Sequence, residues 1–130
     1  MTFVVLLHER LAVTAWLFFL AIGIWGTYRA IRGYATDGNY MGAVAVGQLI
    51  FVVQVIIGGI VWYAGGGGVL ERPGIHYLYG AFALVFVPFV YLVILKGEES
   101  NRAQWIWAFS TLFMFGIALR LMETAAFLGG

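Results

Sequence analysis

The chain has no cysteine among its 130 residues. That absence excludes disulfides, thiolate zinc sites, iron–sulfur clusters, covalent c-type haem and a cysteine nucleophile. Any metal would have to be held by His, Met, Asp or Glu. Charge is scarce too: Asp, Glu, Lys and Arg make up 10% of the residues, against about 25% in an average soluble domain. Seven basic and six acidic side chains leave a net charge of +1. No basic stripe is available to follow phosphates, so nucleic acid is not an expected partner.

What the chain does have is apolar surface. Hydrophobic residues account for 63% of it. A small soluble domain could not hide that much from water, so the expected solvent is the lipid bilayer. The few charges divide the sequence into four uncharged gaps: Leu11–Tyr28, Gly38–Leu70, Pro73–Leu95 and Ala103–Leu119. A spanning helix needs roughly 20 apolar residues. The second gap ends in Gly65-Gly66-Gly67-Gly68, a poor helix former and an expected loop. Helices are therefore predicted at about 3–29, 41–64, 75–96 and 103–124. Short links force antiparallel neighbours. The predicted fold is an all-α integral membrane protein, one domain over residues 1–130 forming a four-transmembrane-helix up-down-up-down bundle.

Several features refine that picture. Trp25, Tyr28, Trp62, Tyr63, Tyr77, Tyr79, Trp105 and Trp107 fall near predicted helix ends, as an interfacial aromatic belt would. Pro88 lies inside the third helix and should kink it unless a neighbour satisfies the freed carbonyl. Small residues at Gly23/Gly26, Ala43/Gly47, Gly58/Gly59, Gly80 and Gly116 suit close helix contact. The first helix lacks a basic n-region and an A-x-A site, unlike a signal peptide. Arg29, Arg32, Lys96 and Arg102 on one side face Arg10, Arg72 and Arg120 on the other. That count of four against three tips both termini to the outside of a bacterial-type inner membrane.

The two histidines, His8 and His76, each begin an odd-numbered helix. His8 stands 21 residues before Arg29, and His76 stands 20 before Lys96. At about 1.5 Å per residue the imidazoles share one depth, at the outer edge of the hydrocarbon. Beneath them run His8-x-x-x-Ala12-x-x-Ala15 and His76-x-x-x-Gly80-x-x-Ala83, which put small side chains on the histidine face. A flat macrocycle with one axial imidazole on each side suits that pattern. Haem b needs no cysteine and is held by neutral imidazoles. Its propionates need cations, and Arg120, with Arg10 and Arg72, is expected at the same level. Those arginines could equally pair with Glu9, Glu71 or Glu123, or snorkel to headgroups. Gln54, strongly polar and deep in the second helix, is read as interhelical glue or as a contact to a cofactor or quinone. Met114 and Met122 are better explained by packing than as axial ligands.

The segment Gln54-Val55-Ile56-Ile57-Gly58-Gly59-Ile60-Val61, followed by a loop, His76 and small residues, resembles the C-terminal half of haem A synthase. His8 with Arg10 and Ala12 matches the first ligand position of that family, and His76 with Gly80 the second. The likeness covers about helices 1–3. It implies a four-helix bundle with one bis-His b-type haem near the outer surface. Two departures stand out: the family usually joins two such halves, and its catalytic half carries a Glu where this chain has Val5. The resemblance therefore carries over haem b binding, not haem hydroxylation. Two functions stay open. One is a small b-type cytochrome for electron transfer or haem handling, residing with other membrane subunits. The other is a cofactor-free or chlorophyll-binding structural subunit of a respiratory or photosynthetic complex. Paired carboxylates and a nucleophile–base pair are lacking, which makes a stand-alone enzyme the weaker expectation.

Overall fold

A computed structural model describes residues 2–64 and 73–126. Four helices follow one another: α1 (Thr2–Ile31), α2 (Gly38–Tyr63), α3 (Pro73–Phe89) and α4 (Asn101–Ala126), with a π-helical turn, π1 (Val90–Ile94), extending α3. Each is long and apolar enough to cross a membrane. The protein is thus an all-α four-helix membrane bundle. The helices run two to three residues beyond the expected bounds at several ends, because local capping extends them.

Those caps are readable in the residues. Gly33, at φ 79°, closes α1 in a Schellman motif. Its N–H donates to the Ala30 carbonyl at 3.0 Å, and the Tyr34 N–H donates to the Arg29 carbonyl at 2.9 Å. Asp37 then caps α2, its carboxylate accepting from the Tyr40 N–H at 2.8 Å. Ser100 caps α4 through the Ala103 N–H, at 3.0 Å. The links on this side are only six residues each, 32–37 and 95–100. They are joined to each other by the Thr36 N–H donating to the Ser100 carbonyl at 3.4 Å.

Around the bundle, α1 packs against α2 and α4, and α3 packs against α2 and α4. The α1–α4 interface is the most extensive and the α2–α3 interface the sparsest. Helices α1 and α3 are therefore diagonal, as the up-down reading required. Glycines set the closest approaches on the well-packed seams. A Cβ at Gly26 would stand 2.3 Å from the Tyr40 hydroxyl oxygen, and one at Gly47 would stand 2.7 Å from the Phe19 ring. At Gly23 the obstacle is Leu112, including its backbone nitrogen at 3.3 Å. Gly59, Gly80 and Gly116 depart from the packing expectation, since a Cβ on any of them would meet nothing within 4 Å.

One other sequence expectation is corrected, and the condition set on Pro88 is met. Trp107 is not part of the interfacial belt: it is 1% exposed and sits in the core beside Phe19, Tyr40 and Met114. Its i+4 neighbour Thr111 and the nearby Ala108 are buried with it, which marks this face of α4 as inward. Pro88, in turn, does not leave its carbonyl stranded. A helical residue at 88 would donate its N–H to the Leu84 carbonyl, and proline has none. Gln48 of α2 supplies the missing donor, its Nε2 reaching the Leu84 oxygen at 2.7 Å. The disturbance in α3 comes later, as π1, where the Leu95 N–H donates to the Val90 carbonyl at 2.9 Å.

Candidate functional site: two imidazoles at the loosely packed end

The bundle is packed unevenly along its length. At the end bearing the 32–37 and 95–100 links, buried side chains interlock and polar groups are matched. Tyr40 donates to the Ile22 carbonyl at 3.1 Å and lies 3.4 Å from the Thr111 hydroxyl. Arg29 donates to Gln104 Oε1 at 3.1 Å and to the Ala35 carbonyl at 2.6 Å, and pairs with Asp37 at 3.2 Å. The Gln104 amide in turn donates to the Gly26 carbonyl at 3.4 Å. This arrangement is a structural anchor that sequence reading missed. The only hint was a charged residue, Arg29, two residues inside the end of a span.

The opposite end differs. Ala15, Phe51, Ala83 and Ala118 are buried, and beyond them the picture changes on all four helices. None of residues 3–14, 52–64, 74–82 or 119–122 is fully buried. Both histidines stand in that loosely packed zone. His8 lies seven residues before Ala15, and His76 seven before Ala83. Ala15 and Ala83 are 2% and 0% exposed. Residues at i and i+7 share a helical face, so each histidine projects from the inward face of its helix, about 10 Å above the packed layer. Ala12 and Gly80, on the same faces one turn below each histidine, are only partly covered.

The imidazoles stand at the same end of the bundle, on diagonal helices. They are near enough that a charge on one would be felt at the other. His76 donates to the backbone carbonyl of Leu121 on α4. Metal-ligating histidines usually donate their other ring N–H to a carbonyl or carboxylate in this way, which leaves the ligating nitrogen with its lone pair. His8 sits against α2. A Cβ on Gly58 would stand 3.2 Å from His8 Cε1, so the missing side chain provides the seat for this ring. One turn earlier, Gln54 donates from Nε2 to the His8 carbonyl at 3.1 Å. His8 Nδ1 and Gln54 Oε1 are both buried without a hydrogen-bond partner.

The remaining predicted residues divide. Arg120 is exposed and immediately precedes Leu121, whose carbonyl holds His76, so it stands at the histidine level. Arg10 is exposed one half-turn beyond His8. Arg72 and Glu71 lie outside the described residues, as does the side chain of Glu123. Met114 is wholly buried in the core cluster, in keeping with packing. Among the described residues no three His, Cys, Asp or Glu side chains gather into a cluster. The chemistry on offer is thus two imidazoles, an amide and a cationic rim. No family model, curated protein or solved structure matches the chain.

Proposed function

We propose that this protein is a small integral-membrane b-type cytochrome that holds haem b between His8 and His76 and serves in electron transfer or haem handling. The observation that carries the reading is the placing of both imidazoles on diagonal helices, within electrostatic reach of each other, in a zone where the described inward-facing residues of all four helices are only partly buried. A porphyrin is flat and apolar over most of its area, so it would cover those faces while its edge reached the polar rim. The residues fit such a group. His76 has its second ring nitrogen engaged by a carbonyl, His8 has an orphaned buried nitrogen, and the open space at Gly80 keeps bulk away from the plane. Arg120, beside Leu121, is the donor suited to propionates, whereas Arg10, two residues from His8, stands on the opposite, exposed face of α1 and is not part of the site.

Held by His8 and His76, haem b would supply one-electron chemistry. The chain itself supplies the two neutral ligands, the apolar surround and the cationic edge. We place the protein in a bacterial-type inner membrane with the histidine end outermost, within a larger membrane complex.

A second reading is a cofactor-free structural subunit. The seating of His8 on Gly58 and its bond from Gln54 favour it, since both also describe plain helix packing. Spectra separate the two. The full chain, expressed with haem precursor and purified in detergent, is expected to show a b-type Soret band and a sharp α band on dithionite reduction. Both bands should vanish in His8→Ala and in His76→Ala. A colourless, helical wild-type preparation that also fails to take up added hemin would overturn the cytochrome reading and leave the scaffold.

A further inference from the structure

The two histidines are not held alike. His76 is fixed by a backbone carbonyl, which no side-chain substitution can remove. His8 has no such carbonyl, and its Nδ1 is buried without a partner. The Gln54 side chain lies against the same ring. Its amide nitrogen is already anchored on the His8 carbonyl at 3.1 Å. That anchor leaves Oε1 as the amide atom still to be satisfied, and Oε1 is the second orphaned buried atom at this contact. One group needs a donor and the other, as Nδ1–H, needs an acceptor. Burial of two complementary polar atoms side by side is costly until they pair.

We propose that Gln54 is the positioning residue of His8: its Oε1 accepts a hydrogen bond from His8 Nδ1–H and thereby holds the ring in the tautomer whose Nε2 carries the lone pair. Gly58, one turn along the same face of α2, completes the device by letting the imidazole close onto the helix. The amide thus clamps His8 twice, at its backbone carbonyl and at its ring. The inference deepens the haem reading, because a free Nε2 lone pair is what an axial ligand requires, yet the tautomer itself is a property of the polypeptide alone.

The test uses the full chain in detergent micelles, labelled with ¹⁵N-histidine, with His8→Ala assigning the resonances. Without haem, His8 is expected as the Nδ1–H tautomer in wild type, shifted toward Nε2–H in Gln54→Leu and restored in Gln54→Glu, which keeps an acceptor. Gln54→Met serves as a second apolar variant should Gln54→Leu fail to fold. Predominant Nε2–H in wild type, or no change on removing the amide, would overturn the proposal. Hemin titration provides the second arm. Loss of a second-shell partner typically weakens metal binding 10- to 100-fold, and Gln54→Leu is expected to bind hemin at least 10-fold more weakly than wild type. Equal affinity would also overturn it. If wild type takes up no hemin the cytochrome reading fails by itself, and the tautomer arm still decides the role of Gln54.

Discussion

At the scale of single residues, Gln48 matters because of what Pro88 lacks. The Leu84 carbonyl lacks its i+4 donor because residue 88 is proline, and the bond from Gln48 Nε2 at 2.7 Å takes that place. Interhelical hydrogen bonds in membranes average only about 0.6 kcal/mol in double-mutant cycles, because the separated helices find other partners. A carbonyl stranded in lipid is a worse case, at about 1–3 kcal/mol. Gln48→Leu is therefore expected to destabilise the bundle by about 1–2 kcal/mol in reversible unfolding in detergent. Pro88→Ala restores the missing N–H in the same helix. The double variant should recover most of the loss, and a purely additive double variant would show that Gln48 acts in some other way. The pair was half visible in the sequence. A proline inside a span demands a donor from somewhere, but nothing in one helix reveals which residue of another stands opposite it.

At the scale of helices, the charge punctuation placed all four spans within a few residues of where they lie, because a spanning helix in lipid has little freedom in length or composition. That His8 and His76 stand at the same end of the bundle was equally readable, since it follows from helical rise and from counting to the charged boundary. The lateral contacts were not. Small residues recur at helical spacing on every span, yet only some of them meet a neighbour. Gly26 does, with Tyr40 in the place a Cβ would take, whereas Gly80 faces open space. The two sites therefore separate by substitution. Gly26→Ala should displace the Tyr40 hydroxyl from the Ile22 carbonyl and cost about 1–3 kcal/mol, the usual range for overpacking. Gly80→Ala should leave the stability of the unliganded protein near wild type. It should weaken hemin uptake, since the methyl would enter the space assigned to the porphyrin. Unchanged hemin affinity in Gly80→Ala would argue that the ring plane does not pass α3 at this point.

For the molecule as a whole, uneven packing makes stability a function of position along the membrane normal. The linked end has Tyr40, Gln104, Trp107 and Thr111 almost wholly buried and the Arg29–Asp37 pair tying α1 to the first link. At the histidine end, beyond Ala15, Phe51, Ala83 and Ala118, no described residue is fully buried. Local opening follows such differences in burial, so amide exchange should be graded. Without haem, amides near His8, Gly58 and His76 are expected to exchange faster than those near Phe19, Val44 and Trp107, although all lie in regular helix. A ligand that binds only the folded state adds stability by mass action, about 2.7 kcal/mol at 100-fold excess over its dissociation constant. If that ligand sits between the imidazoles, its protection must fall on the histidine end of all four helices at once and leave the linked end nearly unchanged. Protection confined to α1 and α2 would mean that hemin contacts only the His8 face, and the diagonal bridge from His8 to His76 would then be wrong even though hemin binds.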